Sequence, residues 1–196
     1  MKIHIIAAEA GVFFFSSLLN CGVTVKIYGN PSVKNFLSKN IKIKKDYISD
    51  RIQTLFLNSK PIDNIDNALL ENGATLALSA AMPGTAGALF RKRGRYSAMR
   101  KQITYTNNIG VKKNKEGKII LKLFNMPAKE LADIIFERGV SIENETLILF
   151  LKNYQKGLLP HIRSIYLDCK KKDKKIFFNK YLISDLQAIN LKATFS

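Results

Sequence analysis

The apolar residues of this chain come in short runs of two different periods, and that limits its fold more than any other feature. Residues 2–8 (KIHIIAA), 23–28 (VTVKIY), 52–57 (IQTLFL) and 74–79 (ATLALS) are rich in β-branched residues or alternate apolar with polar, the period-two signature of strands. Residues 127–138 instead bring Leu131, Ile134 and Ile135 onto one helical face, with Pro127 in the first turn and Gly139 placed to end the helix. A second helix is predicted after Ser141 as N-cap, running to residue 155, with Leu147, Ile148, Leu151 and Tyr154 at core spacing. Both periods in one chain of 196 residues predict an α+β fold with a sizeable core. No run approaches the ~20 apolar residues of a membrane span.

The other elements carry fainter signals. Residues 12–20 fit either a helix or a strand, and 31–38 read as a short helix with Pro31 at its start. Residues 103–106 and 118–124 read as strands joined through a Lys-rich turn at 114–117. Residues 162–169 and 175–178 suggest a hairpin turning at the lysines of 170–174, and Ser184 is placed to cap a final short helix. The basic stretch at 93–102 is the natural boundary. It gives a strand-rich half (residues 1–93) and a mixed α/β half (residues 94–196), or one continuous domain.

Within the first half, residues 55–84 (LFLNSKPIDNIDNALLENGATLALSAAMPG) place a strand, a turn, an acidic stretch and a further strand in that order. The run resembles the C-terminal strands of a β-grasp (ubiquitin-like) domain, and the sulfur-carrier proteins of that fold especially. The resemblance implies a β-grasp-like N-terminal half. It implies no sulfur transfer, because the carriers end in a free Gly-Gly whereas Met82-Pro83-Gly84 here continues into the second half.

Lys and Arg total 32 against 15 acidic residues, a net charge of +17. Abundant Lys, Asn and Ile with no Trp is the composition that AT-rich codons favour, so the position of the charge is more informative than its sum. Residues 112–118 and 170–175 are lysine runs, read as solvated hairpin tips. Residues 91–101 differ: Arg91, Lys92, Arg93, Arg95, Arg100 and Lys101 fall there with no acid, and four of the chain's seven arginines are among them. Codon drift supplies lysine rather than arginine. A guanidinium suits bidentate contact with phosphate, and Tyr96 offers a ring for stacking.

The same segment opens with Gly84, Thr85, Ala86 and Gly87 after a predicted strand. Small residues at a strand–turn–helix junction let an anion approach free backbone N–H groups. Elsewhere the catalytic motifs are absent. There is no Gly-Lys-Ser/Thr phosphate loop, no dinucleotide fingerprint and no nucleophile elbow. His4, Cys21, His161 and Cys169 are too scattered for a metal site, so neither metal nor cofactor is expected. Asp63 and Asp66 read as turn residues, and Glu143 and Glu145 as first-turn helix charges. No catalytic residue is identified, and whether the protein is an enzyme stays open.

Two distant cysteines exclude a disulfide framework and predict buried, reduced thiols in a cytoplasmic protein. Lys2, the apolar stretch 11–19 and Leu18-Leu19-Asn20-Cys21 resemble a lipoprotein signal, but Glu9 interrupts it. The alternative to a cytoplasmic protein is lipid anchoring through Cys21. The expected function is binding of a phosphate-rich ligand, RNA foremost. The alternatives are an enzyme or sensor holding a small anion at Gly84–Gly87, or an interaction module for an acidic protein.

Overall fold

The computed structural model describes residues 1–92, 94–100, 102–106, 115–178 and 187–196. In chain order these form β1 (Lys2–Ala7), α1 (Val12–Cys21), β2 (Val23–Tyr28), α2 (Val33–Asn35), α3 (Lys45–Asp50), β3 (Thr54–Leu57), β4 (Lys60–Pro61), β5 (Thr75–Ser79) and α4 (Gly84–Phe90). Then come β6 (Glu116–Phe124), α5 (Asn125–Glu130), α6 (Ala132–Arg138), β7 (Val140–Glu143), α7 (Asn144–Leu158), β8 (Ile162–Leu167), β9 (Lys170–Lys172) and β10 (Ala188–Phe195). This is an α+β protein, and no helix among the described residues is long and apolar enough to cross a membrane.

The chain folds as two compact units. One joins Met1–Thr24 to Ala128–Ser196, and the other is Val25–Pro127. The boundary expected between residues 93 and 94 falls inside the second unit, whereas the chain leaves the first unit early and returns to it late.

In the Val25–Pro127 unit, β5 lies between β3, antiparallel, and β6, parallel, with β4 beyond β3. Register puts Leu55 opposite Leu78 and Leu57 opposite Leu76, and the same β5 leucines face Leu123 and Leu121 of β6. All six are buried, so the alternation read from the sequence is one face of this sheet. The segments expected as strands at 52–57 and 74–79 are strands over Thr54–Leu57 and Thr75–Ser79, and they pair with each other. Asn58 and Ser59 both take positive φ, which makes the tight hairpin turn between β3 and β4.

In the other unit the strand order is β7-β10-β1-β8-β9. β1 pairs parallel with β10 and antiparallel with β8, and Ile3, Ile5, Ala7, Ile165, Leu191 and Ala193 are buried. α1, α6 and α7 meet around Phe15, whose ring lies 5.3 Å from Phe136, 5.8 Å from Phe150 and 5.4 Å from Phe195. Phe15 and Phe136 are fully buried, and Phe15 meets Phe136 and Phe195 edge to face, an arrangement aromatic rings favour in a core.

Several expectations are corrected. Ser141 is not a helix cap but lies within β7, opposite Asn190, and α7 starts three residues later behind Glu143. The helix expected over 127–138 is two, α5 and α6, broken at Leu131 where the backbone leaves helical geometry (φ −114, ψ 1). The lysines of 170–172 are not a turn. Asp168 and Cys169, both at positive φ, make it, and the lysines pair with β8 as an edge strand. Residues 188–195 form a strand where a final helix was expected, while Ser184 lies outside the described residues. Residues 103–106 are not a strand: Ile103 is half exposed, and both Ile103 and Thr104 donate their N–H to the Arg100 carbonyl as a turn. Both cysteines are free and exposed rather than buried, Cys21 at the end of α1 and Cys169 in the β8–β9 turn.

Candidate nucleic-acid interface

After β5 the chain turns through Pro83, and Gly84 takes φ +72, a conformation an L residue rarely adopts. α4 then runs for seven residues with no side-chain cap. Gly84 and Thr85 are exposed and Ala86 continues the first turn, but Gly87 is buried, and a Cβ there would overlap the Met82 carbonyl. The small residue at 87 thus makes room for the chain's own backbone rather than for a ligand. Phe90 seats the far end of α4 on β3, its ring 5.3 Å from that of Phe56.

Among the described residues between Arg91 and Thr106, the one regular element is a helical turn, Ser97–Arg100. Arg100 holds it in place. Its side chain is buried and donates 2.6 and 3.0 Å hydrogen bonds to the two carboxylate oxygens of Asp63, from Nη2 and Nη1. Nε donates to the Leu89 carbonyl (2.7 Å), Nη2 also to the Arg91 carbonyl (3.2 Å), and Nη1 also to Thr104 Oγ1 (3.0 Å). All five N–H donors of the guanidinium therefore have acceptors inside the unit. Lys92 is tied down as well, its Nζ donating to the Ile48 carbonyl (2.8 Å) and its backbone N–H to that of Gln53 (2.8 Å). Tyr105 closes the segment by donating its N–H to the Pro61 carbonyl.

The structure therefore separates the residues grouped by the sequence. Arg91, Arg95 and Tyr96 are exposed, and neither arginine makes an ion pair among the described residues. Arg100 faces inward and Lys92 is half-buried, so neither offers its full charge to a ligand. Arg93 and Lys101 lie outside the described residues. Met99 (78 % exposed), Ile103 (49 %) and Tyr96 (46 %) are the exposed large apolar side chains of this segment. The residue the sequence reading missed is Asp63. Its sequence context reads as turn chemistry, and the turn is there, with Asn64 Oδ1 accepting from the N–H groups of Asp66 and Asn67. Asp63 itself, however, is the carboxylate that fixes Arg100.

Beside this segment a cleft of about 340 Å³ is lined by Lys34, Asp46, Ser49, Asp63, Asp66 and Lys92 among others. Its charges are of both signs and partly satisfied, Lys34 pairing with Asp66 at 2.7 Å and Asp63 with Arg100. Such a lining creates no net field for an anion. No group of three or more potential metal-binding side chains occurs among the described residues.

No protein-family model, no curated protein and no solved structure matches this chain.

Proposed function

We propose that the protein binds single-stranded RNA through its sugar–phosphate backbone, with Arg91 and Arg95 as phosphate contacts and Tyr96 as a stacking ring. The observation that carries this reading is the pinned segment itself. Two exposed arginines without ion pairs among the described residues stand on a chain whose shape is fixed by a buried third arginine. Little conformational freedom is then lost when they engage phosphate. The net charge of +17 adds long-range attraction. In the same reading the protein is cytoplasmic, where its exposed thiols stay reduced. The small-anion alternative at Gly84–Gly87 has less support, because Gly87 is shielded by Met82. The likeness of residues 55–84 to β-grasp strands stays a proposal about fold, and no functional residue comes with it.

The test is fluorescence anisotropy of a labelled oligouridylate over a salt series. Replacing Arg91 and Arg95 with Ala should lower the slope of log affinity against log salt by about 1.4, roughly 0.7 for each phosphate contact. Lys152→Ala with Lys156→Ala, which removes the same charge from the exposed side of α7, should change it less. Equal losses would reduce the effect to net charge and overturn the site. Binding of an acidic peptide in preference to the RNA would replace the reading with the protein-partner one.

A further inference from the structure

The sheet of the Met1–Thr24/Ala128–Ser196 unit has two unlike faces. The helices pack around Phe15 on the face that carries Ile3, Ile5, Leu191 and Ala193. Side chains alternate along a strand, so the residues between these point the other way. Register aligns them across the sheet. His4 of β1 lies between Lys192 of β10 and Tyr166 of β8, and Tyr166 lies opposite Lys171 of β9. The row therefore reads Lys192, His4, Tyr166, Lys171, with exposed lysines at its ends and two half-buried aromatic rings in the middle. The rings are 5.9 Å apart and inclined by only 30°. His4 is held by a 3.0 Å hydrogen bond between Nε2 and Thr194 Oγ1, and Ile6 continues the apolar strip along β1. The acids near this face lie at its margins: Glu143 opposite Ala188, and Asp168, which accepts the Lys2 N–H.

We infer that this open sheet face is a second RNA-binding surface, on which bases stack over His4 and Tyr166 while Lys171 and Lys192 hold the flanking phosphates. The row crosses three inter-strand spacings, about 14 Å, enough for the two or three bases that an aromatic sheet platform takes. Two neighbouring rings at nearly the same tilt give stacking without demanding a sequence, since every base has a π-face. Burial, and then the charge of Lys192, lower the proton affinity of His4 below its ordinary range, so the ring is neutral at neutral pH. The inference shares its ligand class with the proposal above but stands on other residues in the other unit.

The experiment uses the full chain, a labelled oligouridylate of about ten nucleotides and its abasic counterpart. Tyr166→Ala should weaken binding of the oligouridylate about tenfold with the salt slope unchanged, and Tyr166→Phe should keep the parental affinity. The abasic strand should bind the parent more weakly and ignore Tyr166→Ala. Parental affinity in Tyr166→Ala, or equal affinity for the two strands, would overturn the platform. Should Tyr166→Ala fail to fold, photocrosslinking of a 4-thiouridine strand to the parent decides. Crosslinks at His4 or Tyr166 support the surface, and crosslinks confined to residues 91–103 remove it. A silent Tyr166→Ala beside a lowered slope in the Arg91/Arg95 variant overturns this surface alone. The reverse outcome overturns the arginine segment alone.

Discussion

The arginine segment after α4 and the open sheet face of the other unit both present basic and aromatic side chains, but their shapes are held by different means. The sheet face is held by a ladder: β1 is paired along six residues with β10 and along most of its length with β8. The segment after α4 has few anchors: hydrogen bonds from Lys92 and Tyr105 near its ends, and one central guanidinium with acceptors at Asp63, Leu89, Arg91 and Thr104. Many weak backbone bonds tolerate the loss of any one. A single buried ion does not, because removing its partner leaves an uncompensated charge in a low-dielectric site. Surfaces of similar chemistry can thus be robust or brittle according to what lies beneath them.

Breaking the comparison at its most sensitive point means Asp63→Ala. It should destabilise the protein by about 3 kcal/mol or more, measured by denaturant midpoint, and open residues 91–105 to proteolysis. Arg91→Ala with Arg95→Ala should shift the same midpoint by only a few tenths of a kcal/mol each. A mild Asp63→Ala would mean that the segment is held by its backbone turns instead. Gly87→Ala should come next, at about 1–3 kcal/mol, since the new Cβ must displace the Met82 carbonyl. An unchanged midpoint there would show that α4 shifts freely, and with it the start of the arginine segment.

The smallest effect belongs to the sheet. With the His4 pKa below 6.5 in the fold, the unfolded chain binds the proton more readily. The stability His4 contributes is complete above 6.5 and is lost as the pH falls through the folded value. Between about pH 7 and pH 5 the parent should therefore lose slightly more stability than His4→Gln, with the sheet remaining folded. Parallel pH profiles of the two proteins would remove the effect.

What the sequence made legible follows the same division between local and distant causes. β1, β2, β3 and β5 were readable because each carries its own alternation or β-branched run. β7 was not, since only Val140 and Ile142 mark it and Ser141 mimics a cap. β9 has no apolar residue at all and exists because Asp168 and Cys169 turn the chain back on β8. β10 carries an alternation in Ile189, Leu191 and Ala193, but it lies just after Ser184, whose side chain also suits a helix cap. In the candidate site the arginine cluster stood out at once. That Arg100 would differ from Arg91 and Arg95 could not be seen, because its carboxylate partner lies 37 residues earlier, in a loop with a sufficient local explanation of its own.

β9 ends the strand order with an edge made entirely of exposed lysines. A strand edge is a template for another strand, and two copies of this one would have to bring three ammonium groups on each side into register. Charge on the edge therefore disfavours pairing between copies, and it does so only while those amines stay charged.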